Sequence, residues 1–197
     1  MNATGIAPDK SIVLVGMMGA GKSCIGRRLA QALEMPFFDS DTEVETAAAL
    51  SIDDIFQCYG EVAFRDCERR VIARLLEGSP AVIATGGGAF MDDATRDLVL
   101  KQGLSIWLRA DLELLLRRVS RRNNRPILKR GDPRQILTDL IARRYPVYGN
   151  AELVVDSADI PAEAMTQRVL DAIMARLEKT GDGQATKKCE GSLAPAS

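Results

Sequence analysis

Histidine is missing from the 197-residue chain, and its four cysteines, Cys24, Cys58, Cys67 and Cys189, form no C-x-x-C pair. Together these gaps exclude His-based catalytic triads and the usual zinc sets, and point to reduced thiols rather than a disulfide framework. Aromatics make up only 5% of the residues and the net charge is −1. The chain therefore lacks the global basic footprint of a nucleic-acid binder, and no nucleic-acid partner is expected. Long hydrophobic runs are also missing. The longest are strand-sized, and residues 1–10 include Asp9 and no apolar signal core, so neither a membrane span nor secretion is expected and a cytoplasmic location follows by elimination. What is present is a 46% hydrophobic composition, enough for one compact α/β domain with a substantial core.

The stretch Ser11-Ile-Val-Leu-Val-Gly16-Met-Met-Gly19-Ala20-Gly21-Lys22-Ser23 organises the rest. An apolar run that reads as a buried strand meets a glycine-rich turn matching G-x-x-x-x-G-K-[ST]. A polyphosphate has to be wrapped by backbone N–H groups, and glycine permits so tight a turn. Lys22 would reach the outer phosphates and Ser23 would offer its hydroxyl to a magnesium ion. The next segment, with Ile25, Leu29 and Leu33 at helical spacing, would aim its positive N-terminus at the anion.

Further strands are expected at Pro36–Phe38, Ala81–Ala84, Leu104–Leu108 and Leu153–Val155, alternating with helical patterns, which implies a parallel sheet with right-handed crossovers. The helices carry punctuation: Ser51 with Asp54 resembles a capping box, Asp92 and Asp111 look like N-caps, and Asp132 precedes Pro133. A segment from Glu61 to Glu77 stops at Gly78. Met165, Val169, Ile173 and Leu177 form one apolar stripe on the last helix, a core face. Residues 1–9 and 180–197 read as loose ends around a single domain, 10–179.

Several polar groups could carry chemistry. Phe38-Asp39-Ser40-Asp41 delivers two carboxylates to the carboxyl edge of the sheet, where open α/β folds place ligands. One would help hold magnesium or its water shell and the other would orient an acceptor hydroxyl and take its proton; capping of the following helix is the alternative. Thr85-Gly86-Gly87-Gly88 lets a ligand approach main-chain N–H groups, or is a plain connector. Arg65 alone says nothing. From Arg117 to Arg130 there are seven basic residues and no acid: a solvated or disordered run, a local nucleic-acid contact, or a mobile lid bringing arginine to a transferring phosphate.

Taken together, residues 10–179 resemble the shikimate kinase family. The resemblance rests on Gly16–Ser23, Phe38–Asp41, Phe64-Arg65, Gly86–Gly88, Arg125-Pro126-Ile-Leu and Arg144-Tyr145-Pro146-Val147-Tyr148, in that order. It implies a three-layer P-loop NTPase fold of the nucleoside monophosphate kinase type, with a five-stranded parallel sheet and the P-loop strand central. It also implies a monomeric, single-domain kinase that moves the γ-phosphate of ATP, with Mg2+, to the 3-hydroxyl of shikimate, a step of aromatic amino acid biosynthesis. A substrate-binding region would span about 39–70 and a lid about 119–131.

Lys22, Asp41 and Arg125 would be catalytic. Gly19, Ala20, Gly21, Lys22, Ser23, Cys24, Arg118 and Arg125 would bind ATP, with Arg118 against adenine and further adenine contacts left open. Asp41, Arg65, Gly86, Gly87, Gly88 and Arg144 would bind shikimate, the two arginines gripping its carboxylate. Ser23 and Asp39 would serve the metal. A gluconate or nucleoside monophosphate kinase shares the P-loop, sheet and arginine lid, and the carboxylate-clamping arginines are what separate it. A GTPase switch needs Asn-Lys-x-Asp, whereas here Asn123-Asn124-Arg125 runs into Pro126. A catalytically silent nucleotide-binding module would not fill every charged catalytic position.

Overall fold

The computed structural model describes residues 9–120 and 131–187, with side chains as far as residue 179. Strand β1 (Ser11–Val15) is buried along its whole length, as a strand covered on both faces of a parallel sheet must be. It pairs with β3 (Val82–Ala84) on one side and β4 (Gly103–Arg109) on the other. Strands β2 (Phe37–Asp39) and β5 (Leu153–Asp156) complete the order β2-β3-β1-β4-β5, with every pair parallel. All five expected strands are present, shifted by a residue or two at their ends. The P-loop strand is central, as expected.

Parallel neighbours need long crossovers, and helices supply them: α1 (Lys22–Leu33), α2 (Ser40–Ala48), α3 (Ile52–Glu77), α4 (Asp93–Gln102), α5 (Leu112–Ser120), α6 (Pro133–Tyr148) and α7 (Ala162–Lys187). A short 3-10 turn, Ala89–Met91, precedes α4. The expected caps form. Ser51 accepts from the Asp54 N–H at 3.1 Å, Asp92 from Thr95 at 2.9 Å, Asp111 from Leu114 at 2.7 Å and Asp132 from Arg134 at 3.0 Å. Each such cap satisfies an amide the helix leaves open and contributes about 1 kcal/mol.

Helix α3 is two limbs, 52–59 and 61–77, broken at Gly60, whose φ of 78° and ψ of 177° are not helical. The second limb is the segment read from Glu61 to Glu77 in the sequence. On α7, Met165, Val169 and Ile173 are buried, while Leu177 at 36% exposure lies at the margin of the stripe. That helix runs through Lys187, past residue 179, where the sequence pattern ends the domain. Residues 1–8 and 188–197 lie outside the described residues. The core joins β1 to Leu29 and Leu33 of α1, Ile72 of α3, Leu115 of α5 and Val169 of α7, each buried side chain contributing about 1.5–3 kcal/mol. Among the described residues no helix is long and apolar enough to cross a membrane.

This topology brings the carboxyl ends of β1, β2 and β3 to one edge, where the glycine loop follows β1, Asp39 ends β2 and the Gly86 run follows β3.

Candidate active site

The loop after β1 bends through three glycines at positive φ, Gly16 (137°), Gly19 (83°) and Gly21 (101°). Lys22 opens α1 and folds back over the loop. Its ammonium donates to the carbonyls of Gly16 at 2.7 Å and Met17 at 2.9 Å. A cavity of about 480 Å³ opens in front of it, lined by Gly19, Lys22, Ser23, Asp39, Asp41 and Arg118. Ala20, Gly21 and Cys24 line the same cavity.

Ser23 and Asp39 meet: the serine hydroxyl donates to Asp39 Oδ2 at 2.6 Å. Asp39 Oδ1 accepts from the Asp41 N–H at 3.2 Å, so the same carboxylate also caps α2. The capping reading of Asp39 is met through Oδ1, while Oδ2 is turned to the Ser23 hydroxyl. A hydroxyl and a carboxylate side by side are hard oxygen donors suited to Mg2+, which usually keeps waters and phosphate oxygens for its remaining positions. Among the described residues no group of three or more His, Cys, Asp or Glu gathers to form a fuller cage.

The run after β3 lies under three side chains from three helices. A Cβ on Gly86 would meet Asp41 Oδ1 of α2 at 2.5 Å, and one on Gly88 would meet Arg65 Nη2 of α3 at 2.5 Å. Between them, the Gly87 carbonyl accepts from Arg144 Nη1 of α6 at 2.9 Å and from the Tyr148 hydroxyl. With glycine at 86 and 88 these charged side-chain ends lie directly against the main chain, and a Cβ at either position would force them to move. A second cavity of about 330 Å³ is lined by Arg65, Gly88, Arg143 and Arg144, with Glu61 and Asp92 at its wall.

Electrostatically, burial and then the neighbouring Asp39 push the Asp41 carboxyl above the ordinary carboxylate range, opposed by Lys22 and Arg65. Burial also raises Glu68, against the pull of Arg65. Glu68 is 2% exposed and accepts from Arg65 Nη1 at 2.6 Å through Oε2; its Oε1, close to where a Gly86 Cβ would stand, has no hydrogen-bond partner among the described residues. The Asp41 carboxyl, raised by burial and lining the first cavity, is chemically suited to accept a proton.

The sequence-derived residues divide accordingly. Lys22, Ser23, Asp39, Asp41 and Gly87 share the first cavity with the rest of the glycine loop, and Arg65, Gly88 and Arg144 share the second. Arg118 holds the loop side, with Nη1 donating to the Gly19 and Ala20 carbonyls at 3.3 and 3.2 Å and Nη2 to Ala158 at 2.8 Å. Ser157 Oγ donates to the same Ala20 carbonyl at 3.2 Å. Arg125, and residues 121–130 of the expected lid, lie outside the described residues. Sequence reasoning gave no role to Glu68, Ser157 or Tyr148. For Glu68 the available signal was its position three residues after Arg65 on one helix. Tyr148 stands four residues after Arg144.

Comparison with known proteins agrees with this geometry. The shikimate kinase family model matches residues 18–174. The shikimate kinase of Paramagnetospirillum magneticum is 54% identical over 169 residues, covering 86% of this chain and 87% of its own. That of Brucella canis is 51% identical over 171 residues, covering 87% and 86%. Among solved structures, the shikimate kinase of Acinetobacter baumannii in complex with shikimate superposes with a TM-score of 0.80 at 38% identity, covering 85% of this chain and 94% of the other. A motif set in matching order, the glycine-floored site and identity above one half across most of the sequence lead to one conclusion: the chain belongs to the shikimate kinase family.

Proposed function

We propose that the protein transfers the γ-phosphate of ATP to the 3-hydroxyl of shikimate, giving shikimate 3-phosphate and ADP in aromatic amino acid biosynthesis. The observation that carries this reading is the glycine strip itself. Along Gly86 to Gly88 lie a carboxylate at the first glycine and guanidinium groups at the second and third, a spacing for a small molecule with a hydroxyl to deprotonate and a carboxylate to hold.

In this reading the loop amides and Lys22 cradle the phosphates, and Ser23 with Asp39 hold the divalent ion, taken to be Mg2+, which supplies charge neutralisation on the phosphate oxygens. Arg118, fixed by the Ala20 and Ala158 carbonyls, keeps its flat face for the base. Arg65 and Arg144 clamp the acceptor carboxylate, for which a guanidinium fork is well matched. Asp41 orients the 3-hydroxyl and accepts its proton as the oxygen–phosphorus bond forms and the bond to the ADP leaving oxygen breaks. Arg125 would approach the transferring phosphate from a lid spanning about 119–131 and help exclude water. The protein is taken to act as a monomer in the cytoplasm.

The test is ADP release with ATP and Mg2+, compared across shikimate, gluconate and AMP. Turnover on shikimate alone is expected; preference for gluconate or AMP would overturn the assignment.

A further inference from the structure

The guanidinium of Arg65 already carries two carboxylates. Nη1 donates to Glu68 at 2.6 Å and Nη2 to Glu61 at 3.3 Å. The two partners differ in kind. The Glu68 side chain is 3% exposed and fixed inside the fold, whereas that of Glu61 is 67% exposed and forms the longer contact. Among the described residues the hydrogen bond of the Glu61 side chain is the one to Arg65. Asp92, the other acid on the wall of the second cavity, is committed to capping α4 through the amide and hydroxyl of Thr95. Glu61 therefore occupies the terminal nitrogen of Arg65 that Glu68 leaves over, on the wall of a cavity that also holds Arg143 and Arg144. It follows Gly60, where the helix backbone breaks, so its side chain can leave without disturbing the buried face formed by Phe64, Glu68 and Ile72.

We propose that Glu61 is an internal stand-in for the acceptor carboxylate: it holds Arg65 in the empty enzyme and must be displaced from Nη2 when the acceptor binds, so that it sets acceptor affinity. This rests on the assignment of Arg65 and Arg144 as the carboxylate clamp. The arrangement keeps a half-buried cation paired and oriented between turnovers, at the cost of weaker binding. An exposed pair one helical turn apart is weak, so displacement is easy and its effect on affinity modest.

Steady-state kinetics of Glu61→Gln, which keeps the shape and removes the charge, tests this with saturating ATP and varied shikimate. The KM for shikimate should fall about two- to fivefold, the scale set by exposed ion pairs, with kcat within about twofold of the parent on the same scale. The methyl ester of shikimate, which has no carboxylate to compete, should show no such fall. An unchanged or raised KM for shikimate overturns the proposal, the second case meaning that Glu61 helps to position Arg65 for binding. An equal fall for the ester also overturns it, because Glu61 would then merely obstruct the entrance. Arg144→Lys reads the clamp separately. A raised KM in that variant with an unmoved KM in Glu61→Gln rejects the stand-in and leaves the clamp intact.

Discussion

At Asp41, stability and chemistry pull in opposite directions. Burial, then Asp39, raises its pKa in the folded chain above the ordinary value of about 3.9. An acid whose folded pKa exceeds its unfolded one adds stability below the unfolded pKa and loses it as pH rises through the folded pKa. In nucleotide-free and metal-free protein, Asp41→Asn should therefore melt above the parent at neutral pH, with the gap closing as pH falls towards about 4, the ordinary carboxylate range. Thermal melts across that range check it; a variant less stable at pH 7 would show that the ionised carboxylate is well paired. Lys22 presents the reverse case. Lys22→Met keeps the stem and deletes the charge, so kcat should drop by about 10²- to 10³-fold, the scale for losing one donor to developing charge. Near-parental kcat in the folded variant would reject the phosphate role of Lys22. Arg65 shows what sequence could not offer at this scale. Its own type and place on a helix carry no message; its meaning comes from Glu68 one turn along and from Gly88 on a loop that folding brings beneath it.

Local signals decide the elements, and they were legible for that reason. The caps at Ser51, Asp92, Asp111 and Asp132 involve residues two to three apart, so the sequence contains both partners in one glance. The strands declare themselves as short apolar runs because both faces of a parallel sheet are covered. The two limbs of α3 were legible as separate segments because the backbone does break between them. Gly60 adopts φ 78° and ψ 177°, a region open essentially to glycine alone. A Cβ there would meet nothing within 4 Å, so the cost of Gly60→Ala is purely conformational. We expect a loss of about 1–3 kcal/mol, seen as a lower urea midpoint with unchanged slope. A variant as stable as the parent would mean that α3 can straighten without penalty. At its other end the chain shows the limit of periodicity. The apolar stripe fades after Ile173, yet α7 continues to Lys187, since a helix can propagate beyond the face that packs it.

At the scale of the whole molecule, a parallel sheet solves one problem: strands far apart in sequence end at one edge, so the glycine loop after β1, Asp39 and the Gly86–Gly88 run converge. The order of motifs along the chain made that convergence readable. The geometry of the acceptor pocket was not readable from the residues alone, because its charged side chains come from α2, α3 and α6 and no pattern in sequence states their distances. The central claim is that the two ends of the acceptor are held for different purposes, one for proton removal and one for grip. Steady-state kinetics of Asp41→Asn and Arg144→Lys, with ATP saturating and shikimate varied, tests that claim most directly. Asp41→Asn should lower kcat by about 10²- to 10⁴-fold, the range for general-base catalysis. Arg144→Lys, which keeps charge but loses the fork, should act chiefly on the KM for shikimate, raising it by about one to two decades, the equivalent of about 1.5–3 kcal/mol for a charged hydrogen bond. A change confined to KM in Asp41→Asn, or an unmoved KM in Arg144→Lys, would contradict the proposed orientation of the acceptor.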